Sequence, residues 1–150
     1  MLEVLIATIV VVATAAASSF FTSKNTGTEW YKCIKSSLAP PGFVFGLVWP
    51  VLYLLLILAY VRALKEKDWI TIAMIAISCI VQVAWCYLYF AKKQVVAAMW
   101  AIALLLALAI AIIVKQKSAL LVPYAAWLAF AALLNYKSIE NVNICREIMF

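Results

Sequence analysis

The chain has 150 residues, of which 69% are hydrophobic and 12% are charged, about half the charged share of an ordinary soluble domain. This composition excludes a soluble globular enzyme, a disordered tail and a nucleic-acid-binding module. The net charge is +6, but the basic residues lie in short clusters between apolar runs. That distribution is typical of membrane topology signals and lipid-headgroup contacts.

Five apolar runs without Lys, Arg, Asp or Glu dominate the chain. Each is close to the ~20 residues that one helical crossing of a bilayer needs, and all are too long and too apolar for barrel strands. The sequence therefore predicts an all-α, polytopic membrane protein that forms a single domain, 1–150, with five transmembrane helices. The predicted spans are 4–21, 43–61, 69–91, 95–114 and 119–136.

The first run also has some features of a signal peptide, because Ala13-Thr14-Ala15 resembles a cleavage site. Its start carries Glu3 and no basic residue, and its apolar stretch is long, which favours a spanning helix. Five crossings place seven basic residues on the side of the first connection and the C-terminus, against five on the other side. This weak bias predicts that the C-terminus and the first connection are cytosolic.

The first connection, 22–42, is the one long loop between the predicted spans. Thr26-x-x-Glu29 has the form of a capping box, and apolar residues follow it at near-helical spacing. We expect a short amphipathic helix at the membrane surface, serving as a lid over the bundle mouth, as an interfacial anchor, or as both. The predicted lid residues are Trp30, Tyr31, Leu38, Pro40 and Pro41.

Three predicted helices carry aromatic and amide residues along one face. These stripes are Gly46, Trp49 and Tyr53; then Gln82, Trp85 and Tyr89; and finally Tyr124, Trp127, Ala131 and Asn135. Polar side chains are costly in lipid, so Gln82 and Asn135 should face the bundle interior. Converging stripes would line an aromatic cavity suited to a large, flat, mostly apolar ligand. The alternative is that the aromatics only pack and the amides cross-link helices.

The fourth run carries alanines at four-residue spacing, which predicts a close-packing face within the chain or between chains. They are Ala97, Ala101, Ala103, Ala107 and Ala111. Trp100 in the same run has no assigned role. The chain has no histidine and no metal-ligand spacing, so we predict no metal site and no required cofactor. No acid or base lies inside a predicted span, so a carboxylate-based proton relay is not expected.

Several segments resemble the translocator protein family, also called tryptophan-rich sensory proteins or peripheral benzodiazepine receptors. They are Trp30-Tyr31, PPGFVFGLVWPVLY (40–53), QVAWCYLYFAKKQ (82–94) and, most specifically, LLVPYAAWLAFAALLNY (120–136). The resemblance implies a compact five-helix bundle, often dimeric, whose pocket is closed by the first connection. It also implies a mitochondrial outer membrane or bacterial envelope location.

The ligands that the resemblance implies are protoporphyrin IX and related tetrapyrroles, benzodiazepine-site drugs and, in some members, cholesterol. Trp49 and Trp127 match the family tryptophans linked to porphyrin binding and to its light-dependent breakdown. Ala131 matches a small residue whose enlargement perturbs ligand binding in relatives. The sterol pattern needs a spacer after Tyr136, where Lys137 follows directly, so sterol binding through it is doubtful.

The preferred hypothesis is a membrane protein that binds porphyrin-like ligands as a sensor, scavenger or regulator. The alternatives are a transporter of such ligands or of sterols, a light-dependent porphyrin-degrading enzyme that would use Trp49 and Trp127, and a purely structural bundle. Departures from the family pattern thin the expected aromatic lining near the lid. Leu38 and Phe43 look like replacements of tryptophans, and Gln82 stands where relatives usually have Asn.

Overall fold

The computed structural model describes residues 1–149, and all regular secondary structure in that range is helical. Six α-helices follow one another along the chain, with a π-helical turn, Tyr87–Ala91, continuing the fourth. The helices are α1 (Leu2–Asn25), α2 (Glu29–Ile34), α3 (Gly42–Glu66), α4 (Trp69–Cys86), α5 (Val95–Gln116) and α6 (Val122–Met149).

Four of these helices, α1, α3, α4 with its π-helical turn, and α5, are long and apolar enough to cross a membrane. The chain is therefore a multi-pass membrane protein, as predicted. The fifth predicted crossing, 119–136, is not confirmed by length and composition. It lies within α6, whose sequence turns polar from Lys137 onward. At 28 residues, α6 is ~42 Å long by the usual helical rise.

The core is built by the inner faces of α1, α3, α4, α5 and α6. Helix α5 packs between α4 and α6, while α1 packs against α3 and α4; α3 meets α6 only lightly. Fully buried aliphatic side chains such as Leu56, Ile75 and Leu105 fill the centre. The outer surface is apolar, and Trp100 is 76% exposed on it. Trp100 therefore faces outward from the bundle, as a lipid-facing residue would.

The alanine spacing of α5 does not mark its packing face within the chain. Ala103, Ala107 and Ala111 are exposed, whereas α5 packs through a different stripe that includes Ala98 and Leu105. The prediction of a packing face is wrong for those three alanines inside the chain. Bulky aliphatic residues interleave with alanine on this helix, so both stripes are apolar and the spacing alone could not distinguish them.

The lid helix α2 begins later and ends earlier than the spacing predicts. Its N-cap is Thr28, whose Oγ1 accepts a hydrogen bond from the Tyr31 amide at 3.2 Å. The prediction of Thr26 as the cap is wrong, because Thr26 is the C-cap of α1 and its backbone amide still bonds into that helix. Leu38 lies beyond α2 and is 53% exposed, so it is not on the packed face of the lid.

The end of the bundle opposite the lid is closed by tight turns. Lys67 and Lys117 adopt left-handed backbone conformations (φ of 54° and 49°) at the ends of α3 and α5. Asp68 caps α4 by accepting from the Thr71 amide at 3.2 Å, and it pairs with Lys115 at 3.3 Å. These contacts join the start of α4 to the last turn of α5.

Candidate functional site

The stripe residues predicted from the sequence lie, with one exception, toward the bundle interior. The buried members are Gln82, Tyr89, Tyr124, Ala131 and Asn135, and the half-buried members are Trp49, Tyr53, Trp85 and Trp127. Gly46 is exposed, and a side chain added there would meet no neighbouring atom. The contacts among the three stripes form two separate groups rather than one ring.

The first group is an aromatic cluster between α3 and α6, here called the tryptophan cluster. It consists of Phe45, Trp49, Tyr53, Trp127 and Phe130. The Trp49 and Trp127 rings meet edge to face, with centroids 6.5 Å apart and an interplanar angle of 87°. Phe45 meets Trp127 in a similar way at 5.6 Å. Edge-to-face contact is a preferred geometry of aromatic pairs, so the two tryptophans that the sequence singled out form a true contact.

A groove of about 480 Å³ lies beside this cluster, between α3 and α6. It is open to the outer surface of the bundle, and its lining is almost wholly apolar. The lining residues are Leu47, Val48, Val51, Leu52, Pro123, Ala126, Trp127 and Phe130. The interior around Tyr124 is packed with other core side chains. An enclosed hollow lined by the three stripes stays a prediction.

The second group is a hydrogen-bonded set near the lid, here called the lid-end network. Asn135 Oδ1 accepts from Trp85 Nε1 at 3.0 Å, and Asn135 Nδ2 donates to the Val95 carbonyl at 2.8 Å. The Tyr89 and Ser138 hydroxyls share a hydrogen bond of 2.6 Å. The network joins α4 and its π-helical turn to α5 and α6. For Asn135, the alternative that the amide cross-links helices is the one the structure supports.

The lid rests on this network through aromatic contacts. The rings of Trp30 and Tyr31 each lie 6.5 Å from the Tyr89 ring, and Tyr31 also contacts Phe90 at 5.5 Å. The π-helical turn carries both Tyr89 and Phe90. Ile34, at the end of the lid helix, is fully buried. Burial raises the pKa of the Tyr31 phenol above its usual value.

Two of the five predicted lid residues, Trp30 and Tyr31, therefore contact the bundle. Pro41 is exposed and serves as the N-cap of α3, and Pro40 is half-buried. Leu38 is exposed. The lid is thus a six-residue helix in which two aromatic residues contact the bundle, and the proline pair separates it from α3.

A disulfide between Cys33 and Cys145 fastens the lid to α6, across a sequence separation of 112 residues. The two Cα atoms lie 5.9 Å apart. Close by, Asn141 Nδ2 donates to the carbonyl of Ile34 at 3.2 Å. The sequence offers no spacing signal for this pairing, because it depends on how far the polar end of α6 extends past the lid. Cys79 and Cys86 stay free and buried in the bundle.

Three buried polar atoms have no hydrogen-bond partner within the part of the chain that the structure describes. They are Ser18 Oγ, Gln82 Oε1 and Trp127 Nε1. Gln82 and Ser18 both lie near the Tyr53 hydroxyl without forming a well-aligned hydrogen bond to it, and the Tyr53 ring lies 5.5 Å from the Trp49 ring at a tilt of 32°. An unpaired buried polar atom costs free energy, so such atoms in one region point to a missing partner.

Ser18 is the site residue that the sequence analysis missed. Thr14 and Thr22, one turn on either side of it, each donate to the carbonyl four residues earlier, at 2.8 and 2.9 Å. The Ser18 hydroxyl has no such bond, although it is only 5% exposed. A four-residue spacing of hydroxyl residues along an otherwise apolar helix was the available signal.

Comparison with known proteins identifies the family of this chain. The family model described as TspO/MBR family matches residues 6–140. The chain belongs to this family. It is 28% identical over 139 residues to the tryptophan-rich protein TspO of Chlorobaculum tepidum, covering 85% of this chain and 88% of that protein. It is 29% identical over 148 residues to the protein of the same name from Archaeoglobus fulgidus, covering 90% and 94%.

The TspO/MBR match contains both the tryptophan cluster and the lid-end network. It ends at residue 140, so Asn141 and Cys145, which hold the lid, lie beyond it. The resemblance read from the sequence is confirmed at the level of the family. The α6 residues that fasten the lid therefore lie outside the part of the chain that the family model matches.

Proposed function

We propose that this TspO/MBR-family protein binds protoporphyrin IX or a related tetrapyrrole within the membrane, as a sensor, scavenger or regulator. The observation that carries the proposal is the pair of buried, unpartnered atoms Gln82 Oε1 and Trp127 Nε1. One is an acceptor and the other a donor, and both lie at or near the tryptophan cluster. A ligand with both hydrogen-bonding functions would satisfy them.

The ligand ring would stack against Trp49 and Trp127. Both indoles are only half-buried and offer a ring face or edge to an added aromatic surface. The groove between α3 and α6 reaches Trp127 from the bilayer side, and its volume of about 480 Å³ is within the usual range of small-molecule sites. Because the chain has no histidine, a metal-free ring fits better than a tightly ligated haem.

The proposal includes a fifth membrane crossing by α6. Its first half is apolar and packs against α5. A helix of ~42 Å exceeds the ~30 Å hydrocarbon core, so the polar residues after Tyr136 would extend into the aqueous phase. That extension would bring the end of α6 to the lid side, where Asn141 meets Ile34.

The test is a titration of protoporphyrin IX into the full chain in lipid nanodiscs, followed by tryptophan fluorescence. We expect saturable quenching that weakens about tenfold in apparent affinity in Trp49→Phe and in Trp127→Phe, as loss of a stacked, hydrogen-bonded indole implies. Trp100→Phe is the matched control, because that indole faces outward. Quenching that does not saturate, or that Trp100→Phe reduces equally, would contradict the proposal.

The same preparation separates binding from the alternatives. A benzodiazepine-site drug should compete with the porphyrin if the two share the site. Ligand flux in liposomes would favour the transporter hypothesis over simple binding. Light- and oxygen-dependent product formation beyond one turnover per protein would favour the enzyme hypothesis, whereas stoichiometric loss would indicate photodamage.

A further inference from the structure

The disulfide joins the lid helix, α2, to the C-terminal part of α6. Cys33 lies in α2 and Cys145 in the last turns of α6, and the two cysteines are 112 residues apart in the sequence. Helix α2 has six residues, and helices of that length are unstable alone, so its position depends on tertiary contacts. Among the described residues, one side-chain hydrogen bond, from Asn141 to Ile34, joins α2 directly to α6.

The lid covers the upper end of a column of aromatic rings. Trp30 and Tyr31 contact Tyr89, and the Tyr89 ring lies 6.3 Å from Trp85. Trp85 is hydrogen-bonded to Asn135, at the heart of the lid-end network. Movement of α2 away from α6 would therefore open the bundle from Tyr89 inward. The covalent bond is the one lid contact that a chemical reaction can make and break.

We propose that the Cys33–Cys145 bond is a redox-operated latch: oxidised, it clamps the lid shut, and reduced, it lets the lid open and speeds ligand exchange. The ligand-exchange part rests on the proposed function. The latch takes a dithiol reductant as its reaction partner. Cys33, the more exposed of the two cysteines, is the point of attack.

The reaction is a thiol–disulfide exchange that transfers two electrons. A thiolate of the dithiol attacks the Cys33 sulfur, the disulfide breaks, and Cys145 leaves as a thiolate that takes up a proton. The second thiol of the reductant then attacks the mixed disulfide. Cys33 is released as a thiol, and the reductant leaves as its own cyclic disulfide.

The latch has a consequence for topology. Disulfides persist in oxidising compartments and are rare in the cytosol. If the bond is closed at rest, the lid end of the bundle would face the oxidising side of its membrane, opposite to the cytosolic placement that the weak difference in basic residues predicts.

The first experiment counts thiols in isolated native membranes, by denaturing alkylation with a maleimide polymer. The chain has four cysteines, of which Cys79 and Cys86 are free. We expect two labels per chain as isolated and four after treatment with dithiothreitol. Four labels without reductant would overturn the latch.

The second experiment measures lid opening without any ligand, through the rate of tryptic cleavage at Lys32 and Lys35. Reduction of the wild-type chain in nanodiscs should raise this rate about fivefold or more, because proteolysis follows local opening. Cys33→Ser and Cys145→Ser should cleave at the faster rate with or without reductant. The Cys79→Ala/Cys86→Ala variant is the matched control and should keep the full response. Equal rates in oxidised and reduced wild type would overturn the latch.

The third experiment follows protoporphyrin IX association and dissociation by stopped flow, in oxidised and reduced protein. We expect both rates to rise on reduction while the equilibrium affinity changes less. Unchanged rates, with cleavage accelerated, would overturn the role in ligand exchange. If porphyrin does not bind either form while cleavage still responds, the proposed function fails and the clamping of the lid stands.

Discussion

The lid-end network and the tryptophan cluster use the same kinds of side chain in opposite ways. In the network, Asn135 accepts from one partner and donates to another, and the nearby hydroxyls bond each other. Around the cluster, Gln82 Oε1 and Trp127 Nε1 are buried and unpartnered. An amide and an indole occur in both regions, so the residue types are the same. The two regions differ in whether a hydrogen-bond partner lies within reach of those groups.

This difference separates stability from function. Hydrogen-bonded polar groups inside a bundle hold helices in register, and their removal should lower stability. Unpartnered polar groups already cost the folded protein free energy, so their removal should leave stability equal or better and affect only a ligand. Paired substitutions, with one residue from each region, therefore test whether stability and ligand binding change separately.

The largest contrast is expected between Asn135→Leu and Gln82→Leu. Asn135→Leu breaks two hydrogen bonds, each worth ~0.6 kcal/mol on average and at most ~1.7 in membrane proteins, so unfolding should become easier by about 1–3 kcal/mol. Gln82→Leu should leave the free energy of unfolding unchanged or raise it, and weaken porphyrin binding by about fivefold. Detergent-titrated unfolding and fluorescence titration measure the two quantities. Equal destabilisation by both variants would contradict the comparison.

The two indoles give a smaller contrast. Trp85→Phe removes the N–H that bonds to Asn135, and we expect a loss of about 1 kcal/mol of stability. Trp127→Phe removes an N–H without a partner, so stability should hold while porphyrin affinity falls. Thermal unfolding of the two variants, with and without porphyrin, measures both effects. The contrast is wrong if Trp127→Phe is the less stable of the two without ligand.

The hydroxyls provide the mildest substitutions inside the bundle. Ser138→Ala leaves the buried Tyr89 hydroxyl without its 2.6 Å partner and should lower the unfolding temperature by a few degrees. Ser18→Ala removes an unpartnered hydroxyl and should leave the unfolding temperature unchanged. Ser78→Ala is a further control, because Ser78 donates within its own helix to Met74. A lower unfolding temperature in Ser18→Ala would mean that its hydroxyl has a partner.

The sequence predicts the helices far better than it predicts these partnerships. Apolar runs locate the helices because burial and lipid exposure both demand apolar residues. Whether Asn135 or Gln82 finds a partner depends on helix rotation and on a carbonyl in another helix, which no local pattern encodes. The cap at Thr28 was missed because Thr26 offered a similar motif two residues earlier. The pairing of Cys33 with Cys145 depends on how far α6 projects, a property of the whole bundle.

The smallest effect belongs to the end of the bundle opposite the lid, where a hydrogen-bonded carboxylate, Asp68, is only partly buried. Hydrogen bonds from the Thr71 hydroxyl and amide, with help from Lys115, hold the pKa of Asp68 below its usual 3.8. A carboxylate with a lowered pKa in the folded state stabilises the fold above that usual value, and the contribution disappears as pH falls through the folded-state pKa. Asp68→Asn keeps a capping oxygen but lacks the charge. Thermal unfolding should therefore show wild type slightly more stable than Asp68→Asn at pH 7, with the gap closing below pH 3.8. A gap as large as that of Asn135→Leu would show that burial is not what makes the lid-end network strong.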